Sequence, residues 1–227
     1  MNPARRRARP ARATLIGQRA ASPDVILEQY EVGPMQNFAY LIGDERAGKA
    51  ALVDPTAEWP TLEKEAARRG LSVDFVFNTH SHPDHTSGNR YFRERGAKLA
   101  AHASAPTRPD VELRDGDVVR VGSLELRVLH TPGHRFDSAC FIAGPNLYTG
   151  DTLFIGECGR TDLPGSDPRA MHHTLLTVLR GLPDDLEVMP GHNYGPVPHR
   201  RLGEEKRLNY TLQPRTLSEF LAFMKTP

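Results

Sequence analysis

The fold of this chain is decided by the stretch Thr79-His80-Ser81-His82-Pro83-Asp84-His85. Three imidazoles and one carboxylate lie within six residues, directly after the apolar run at 75–77, which predicts a buried strand. Neutral imidazole nitrogens and carboxylate oxygens are the ligands that divalent metals such as zinc select. Because so many of these groups have little structural use without a cation among them, the stretch predicts one half of a metal site.

The local geometry favours convergence of these side chains. In extended chain, residues two apart point to the same face, so His80 and His82 leave the strand end together. The proline that follows ends the strand ladder, and Asp84 and His85 come at the start of a predicted helix. A simpler interpretation, in which Ser81 or Asp84 caps that helix, accounts for one or two polar residues but not for three histidines.

Three further ligand candidates each follow a predicted strand and stand directly after a glycine. They occur in Thr131-Pro132-Gly133-His134, Thr149-Gly150-Asp151-Thr152 and Pro190-Gly191-His192. A glycine lets the backbone turn sharply and places the next side chain at the rim of a sheet. A lone histidine after a turn is usually a surface or capping residue, but here one placement occurs three times. The other histidines lack this context and are interpreted as ordinary residues: His102, His130, His172, His173 and His199.

The remaining pattern predicts a single domain over residues 24–227. Short apolar runs separated by turn residues alternate with two predicted helices. The first, at 59–69, is amphipathic, and the second, at 168–180, begins with a proline and is ended by Gly181. Because strands followed by helices occur twice over, we expect two sheets packed face to face with helices outside. The chain has 227 residues, enough for a core that folds without disulfides, and only two cysteines. A reducing, cytoplasmic location is therefore the expectation.

Residues 1–23 differ from the rest of the chain in charge. They contain six arginines and no acidic residue, whereas the whole chain has a net charge of +1. An arginine-rich leader without apolar periodicity predicts a disordered tail. The alternatives are a transit peptide, which would place the protein in an organelle matrix, and a nucleic-acid-binding arm. No run approaches the roughly 18 apolar residues of a membrane span, so we expect no membrane partner.

The five ligand blocks together resemble the metallo-β-lactamase superfamily, over nearly all of residues 25–200. The resemblance implies an α+β fold, a four-layer αββα sandwich with a metal site in the cleft at the edge of the sheets. It also implies two sites bridged by Asp151, the first made of His80, His82 and His134 and the second of Asp84, His85 and His192.

Within the superfamily the chain is similar to the glyoxalase II and persulfide dioxygenase branch. The segments Asp151-Thr152-Leu153-Phe154 and Cys158-Gly159-Arg160-Thr161-Asp162 carry this similarity. In that branch the basic residue after Cys-Gly and the tyrosine after the last histidine contact a glutathione moiety. The resemblance therefore implies Arg160 and Tyr194 as substrate-binding residues.

Two features depart from the glyoxalase II pattern. Only 35 residues follow His192, fewer than the helical C-terminal region that completes the glutathione site in those proteins. The run at 204–209, Glu-Glu-Lys-Arg-Leu-Asn, is instead similar to the tail of persulfide dioxygenases and of short bacterial relatives. Asp137 stands where small residues are usual, which leaves the shape of the local pocket open.

Two enzymatic hypotheses follow. The first is a glyoxalase II-type hydrolase that cleaves a thioester of glutathione or a similar thiol. It would use water activated by two divalent metal ions, with zinc expected, and Asp84 would hold or accept the water's proton. The second is a non-heme iron persulfide dioxygenase that oxidises glutathione persulfide to sulfite, with one Fe(II) held by His80, His134 and Asp151.

Other functions are less favoured. A metal-binding scaffold that uses the arginine tail on nucleic acid would need a basic stripe with interleaved aromatic residues, which the domain lacks, so we expect no nucleic-acid partner. A β-lactamase would need an export signal, and no signal-peptide apolar region follows the arginines. The ligand types do not distinguish zinc, iron and manganese. A homodimer is the default expectation for assembly.

Overall fold

The computed structural model describes residues 14–19, 24–56 and 59–225, and their strands form two sheets. The first sheet has seven strands in chain order: β1 (Thr14–Arg19), β2 (Val25–Val32), β3 (Asn37–Asp44), β4 (Lys49–Val53), β5 (Ser72–Phe77), β6 (Lys98–His102) and β7 (Val111–Leu113). The second sheet has six strands: β8 (Val118–Val121), β9 (Leu124–His130), β10 (Ala139–Ala143), β11 (Asn146–Gly150), β12 (Glu187–Pro190) and β13 (Arg200–Arg201). They lie side by side in the order β13-β12-β11-β10-β9-β8.

Among the described residues, six α-helices lie on the outer faces of these sheets or between their strands. They are α1 (Trp59–Arg68), α2 (Pro83–Thr86), α3 (Asn89–Arg93), α4 (Pro168–His173), α5 (Leu202–Leu208) and α6 (Leu217–Phe223). The segment predicted as one helix over 168–180 changes geometry: α4 continues as a π-helical turn, Thr174–Val178, and then a 3-10 turn, Leu179–Gly181. Helix α4 begins after Asp167, whose carboxylate accepts the amide of Arg169 at 2.8 Å.

Three apolar clusters define the layers. The central cluster joins the facing sides of the two sheets, with Phe77 and Tyr40 from one sheet and Phe141 from the other. The outer face of the first sheet packs against α1 and α3, and the outer face of the second packs against α4, α5 and α6. The four-layer αββα sandwich and the α+β class are therefore confirmed.

The strand sequences follow from this layering. All eight residues of β3 are buried, because helices cover one of its faces and the second sheet covers the other. Strand β9 alternates buried and exposed residues over most of its length, since part of its outer face meets solvent. The alternation of buried and exposed residues in β9 thus reflects which of its two faces is covered.

The two sheets meet at one edge of the sandwich through main-chain hydrogen bonds. The amide of Ala139 donates to the carbonyl of Thr79 at 2.7 Å, and the amide of Phe38 donates to the carbonyl of Gly191 at 2.8 Å. These contacts bring the end of β5 to the start of β10 and the end of β12 to the start of β3. The edge that they form is where the predicted ligands lie.

The predicted disordered tail, residues 1–23, falls mostly outside the described residues. Its exception is Thr14–Arg19, which forms β1 and pairs antiparallel with β2. The predicted disorder therefore does not extend to these six residues, whose backbone pairs with the edge of β2. Among the described residues, no helix combines the length and the apolar character needed to cross a bilayer.

Candidate metal centre

Strand ends position all seven predicted ligands at one edge of the sandwich. The stretch 80–85 follows β5 and runs into α2, His134 lies between β9 and β10, Asp151 follows β11, and His192 follows β12. Strands β11 and β12 are parallel neighbours, so their carboxyl ends present Asp151 and His192 side by side. The fold thus brings together residues that are up to 112 positions apart in the chain.

The first group of ligands consists of three histidines. His82 Nδ1 lies 3.0 Å from His80 Nε2 and 3.0 Å from His134 Nε2. His80 and His134 are buried, whereas His82 is partly exposed. Three imidazole nitrogens therefore point at one position.

The second group consists of Asp84, His85 and His192. The Nε2 atoms of the two histidines are 3.2 Å apart, and Asp84 Oδ2 lies 3.3 Å from the first and 3.4 Å from the second. Asp151 contacts both groups: its Oδ2 is 3.6 Å from His134 Nε2 and 3.5 Å from His192 Nε2. Asp151 therefore lies where a bridging carboxylate would be needed.

Hydrogen bonds on the outer side of the imidazoles fix which nitrogen faces the centre. His134 Nδ1 donates to the carbonyl of Arg160 at 2.9 Å, and His192 Nδ1 donates to the carbonyl of Met35 at 2.9 Å. Because a carbonyl only accepts, each Nδ1 carries a proton and each Nε2 is left to act as a metal ligand.

Asp54, which was not predicted as a site residue from the sequence, orients one histidine of each group. Its carboxylate lies 3.0 Å from His85 Nδ1 and accepts the amide and the hydroxyl of Thr79 at 2.8 and 2.6 Å. The Thr79 hydroxyl in turn lies 3.1 Å from His80 Nδ1. The sequence does contain an indication of this role, because Asp54 directly follows a strand as the ligand candidates do. An aspartate before a proline is also common in ordinary turns, however, so its position alone does not mark it as a site residue.

Asn37 is a second site residue that was not predicted from the sequence. Its Nδ2 donates to Asp84 Oδ2 at 2.9 Å and reaches the carbonyl of the same residue at 3.4 Å. The first residue of β3 thereby orients a candidate ligand on α2. Nothing in the local sequence around Asn37 indicates this contact, because it depends on the pairing of distant segments.

The donor set fits divalent metal ions. Ligand atoms 3.0 to 3.6 Å apart suit ions bound at about 2.0–2.2 Å from each donor. Asp151 Oδ1 is buried and makes no hydrogen bond, although it lies 3.3 Å from His85 Nε2. A buried carboxylate oxygen without a hydrogen bond, among imidazole nitrogens, is the arrangement that a cation stabilises.

The electrostatics of the centre favour a cation as well. Burial opposes ionisation of Asp84 and Asp151, but the imidazoles of His85 and His192 hold the pKa of both carboxyls below the usual range. Burial also lowers the pKa of His192, yet hydrogen bonds to these carboxylates outweigh it and raise that pKa to about 9. The two carboxylates thus attract positive charge, and protons compete with metal ions for the ligand atoms of the centre.

Glycines allow the close approach of the ligand loops. A Cβ at Gly159 would lie 1.8 Å from the carbonyl oxygen of Asp151, and one at Gly191 would lie 2.4 Å from Asp151 Oδ1. Gly150 has φ +49° and would meet the Thr79 hydroxyl at 2.2 Å. Any side chain at these positions would displace the ligands or their supports.

A cleft of about 1040 Å³ opens over the centre and reaches the residues expected to bind substrate. Its lining includes Arg160, Tyr194 and the ligands Asp84 and Asp151. Tyr194 is 54% exposed, and its ring stacks on the His192 ring with centroids 4.6 Å apart. The Arg160 guanidinium donates two 2.6 Å hydrogen bonds to the carboxylate of Asp162.

The histidines interpreted as ordinary lie outside these groups. His102 and His130 stack with centroids 3.8 Å apart, and His130 Nε2 bonds to the carbonyl of Phe136 at 3.0 Å. His172 bonds to the carbonyl of Arg215 at 3.0 Å, and His199 contacts Glu187. Their contacts are structural.

Comparison with known proteins identifies the family. A family model described as the metallo-beta-lactamase superfamily matches residues 32–192. The chain belongs to this superfamily. The resemblance drawn from the sequence is thereby confirmed, both for the superfamily and for its two branches.

The chain is similar to proteins of both the hydroxyacylglutathione hydrolase branch and the persulfide dioxygenase branch. The hydroxyacylglutathione hydrolase of Gloeobacter violaceus is 40% identical over 185 residues, which cover 78% of this chain and 69% of that protein. The mitochondrial persulfide dioxygenase ETHE1 of Homo sapiens is 30% identical over 217 residues, 92% of this chain and 84% of that protein. The crystal structure of ETHE1 from Myxococcus xanthus has a TM-score of 0.84 and 35% identity, with 88% of this chain and 90% of that chain covered. The chain thus spans about two thirds of such hydrolases but most of ETHE1.

Proposed function

We propose that the chain is a metal-dependent hydrolase of glyoxalase II type, which cleaves a thioester of glutathione or a similar thiol. The observation that carries this proposal is the presence of two complete ligand groups with Asp151 in contact with both. A two-metal hydrolytic centre needs this arrangement, a ligand set for each ion and a shared carboxylate. The 40% identity to a hydroxyacylglutathione hydrolase supports it.

The protein residues have separate tasks in this reaction. Two bound divalent ions would lower the pKa of a water and polarise the thioester carbonyl. Asp84, held by Asn37 and with its side chain 25% exposed to the cleft, is placed to accept the proton of that water. The water oxygen attacks the carbonyl carbon and the carbon–sulfur bond breaks. The proton held by Asp84 passes to the departing sulfur, so the products are the carboxylic acid and the thiol. Arg160 and Tyr194 at the rim would hold the thiol-bearing part.

The test is thiol release from S-lactoylglutathione by protein loaded with zinc. We expect His134→Ala to lose more than about a hundredfold of the activity, because it removes a direct ligand. His173→Ala, an exposed histidine on α4, is the matched control and should retain activity. A protein that binds two zinc ions and releases no thiol above the uncatalysed rate would refute the proposal.

A second function, persulfide dioxygenase, is favoured by the length of the match to ETHE1, 84% of the human protein. His80, His134 and Asp151 would supply the two nitrogens and one carboxylate that suit a single Fe(II) with open positions for oxygen and the persulfide. The overall reaction balances when glutathione persulfide, oxygen and water yield glutathione, sulfite and two protons. Asp84, His85 and His192 would then act as hydrogen-bonding neighbours.

Metal analysis and oxygen uptake distinguish the two functions. Protein purified without added metal and containing about one iron per chain would favour the dioxygenase, and two zinc ions would favour the hydrolase. Oxygen consumption with glutathione persulfide, measured on the iron form, is the direct assay. An iron-loaded protein that consumes no oxygen would exclude this second function.

A further inference from the structure

The cleft above the metal centre contains an unpaired carboxylate. Apart from metal-ligand candidates, the charged residues on its lining are Glu157, Arg160 and Asp162. Arg160 and Asp162 neutralise each other through two hydrogen bonds of 2.6 Å. The Glu157 carboxylate forms no ion pair with any residue that the structure describes, and the one hydrogen bond that it accepts there comes from the amide of Cys158 to Oε1 at 3.0 Å. The lining therefore has a net negative charge at Glu157.

Glu157 is held in place by a fixed turn. The carbonyl of Glu157 accepts the amide of Phe154 at 2.9 Å and Nδ2 of Asn209 at 3.1 Å. The adjacent Gly156 donates its amide to the buried carboxylate of Glu205 at 2.8 Å. Because the turn is bonded to Glu205 on α5 and to Asn209 directly after it, the Glu157 side chain projects from a rigid support rather than from a free loop.

The surroundings of Glu157 suit a positive group. Burial raises the pKa of Glu157, as expected for a half-buried carboxyl without a cationic neighbour. Four aromatic residues line the same cleft: Phe154, Tyr194, Tyr210 and Phe223. Aromatic faces attract ammonium groups, and a carboxylate beside them supplies the opposite charge. The cleft thus combines two features that recognise an organic cation.

We propose that Glu157 is a specificity residue that binds the ammonium group of the thiol-bearing part of the substrate. The substrate class is then an amino-acid or peptide thiol conjugate with a free amino group. A substrate analogue that lacks the amino group would leave the Glu157 carboxylate half-buried and unpaired. This cost makes the contact selective for the substrate with the free amino group. The proposal rests on the proposed function for the thiol conjugate, but not on which reaction follows binding.

The test is calorimetric binding of two inert probes to the metal-loaded protein, S-methylglutathione and its N-acetyl derivative. The first has a free ammonium group and the second does not, and neither contains a thioester or a persulfide. We expect the wild type to bind the amine form roughly tenfold more tightly, the size of one charge-assisted hydrogen bond at a half-exposed site. Glu157→Gln keeps the acceptor for the Cys158 amide and should remove this preference.

Two further variants complete the design. Glu157→Lys should invert the preference, because its ammonium group repels that of the probe. Glu112→Gln, an exposed glutamate on β7 outside the cleft, is the matched control and should keep the wild-type ratio. Equal binding of both probes by the wild type, binding of neither, or a preserved preference in Glu157→Gln would overturn the proposal. Thioester turnover is measured separately. Its absence would refute the proposed reaction, whereas the role of Glu157 is decided by the binding data alone.

Discussion

At the scale of single residues, the centre depends on side chains that bind no metal themselves. The Asp54 carboxylate accepts three hydrogen bonds or ring contacts, from the Thr79 amide, the Thr79 hydroxyl and His85 Nδ1. Its backbone has φ 48°, a conformation that few non-glycine residues adopt. One residue thus fixes the ring orientation of a ligand in each group, through Thr79 for His80 and directly for His85.

Substitution of Asp54 should weaken metal binding without removing a ligand. Asp54→Asn replaces an accepting oxygen by an NH₂ group that faces two donors, so we expect about a 10- to 100-fold loss of zinc affinity. We also expect a fall of about 1–3 kcal/mol in the free energy of unfolding. Competition with a zinc-binding dye and denaturant titration measure the two effects.

Asp185→Asn is the control for this prediction. Asp185 is exposed on the loop before β12 and lies outside the centre. An Asp54→Asn protein with the zinc affinity of the wild type would show that the imidazoles keep their orientation without this support.

At the scale of elements, α5 supports the turn that lines the cleft. Glu205 is fully buried, and its carboxylate accepts the Gly156 amide at 2.8 Å, Asn209 Nδ2 at 2.9 Å and Arg200 Nη1 at 2.9 Å. Asn209 also reaches the carbonyl of Phe154 at 3.3 Å. The run at 204–209, noted in the sequence only as a family similarity, therefore has a structural role. It joins the C-terminal region to the turn between Asp151 and Arg160.

The two adjacent glutamates of α5 provide a direct comparison. Glu205→Ala leaves Arg200 and a main-chain amide without their buried acceptor, so we expect it to lower the free energy of unfolding by about 2–4 kcal/mol. Glu204→Ala should change it by less than about 0.5 kcal/mol, because the Glu204 side chain is 45% exposed and its carboxylate lies 4.0 Å from Arg200 Nε. Urea unfolding measures both, and equal effects would contradict the assigned role of Glu205.

At the scale of the whole molecule, metal ions would connect the two halves of the sandwich. The first sheet and α2 supply four ligand candidates, His80, His82, Asp84 and His85, and the loops of the second sheet supply His134, Asp151 and His192. Each group takes two residues from the first half and one from the second. Binding of metal to the folded chain should therefore stabilise the packing of the sheets as a unit.

Metal removal should lower the thermal stability. At a free metal concentration of about 100 times the dissociation constant, binding to the native state contributes about 2.7 kcal/mol per site. For a chain of this size we expect the midpoint to fall by roughly 5–10 °C for each site emptied by a chelator. Calorimetric scans before and after chelation, and after zinc is added back, measure this, and an unchanged midpoint would contradict binding at the sheet edge.

Much of the fold and the ligand set could be predicted from sequence because both depend on local patterns. Each ligand candidate stands next to a strand end and a turn residue, α1 follows from apolar periodicity, and the start of α4 follows from its N-terminal proline. The supports could not be predicted in this way. Asn37 and Asp54 reach their partners only through strand pairing, and Glu205 acts on a loop 49 residues away. The pairing of Thr14–Arg19 with β2 likewise depends on a sheet edge that composition does not reveal.

The division of the ligands between the sheets makes the chain suitable for fragment complementation. A break in the connection between Leu113 and Val118 would separate the two sheets into polypeptides with incomplete sets of donors. Neither fragment could form either ligand group alone. Reassociation of such fragments would then depend on the concentration of divalent metal, and the metal dependence of complementation would measure the coupling between the halves.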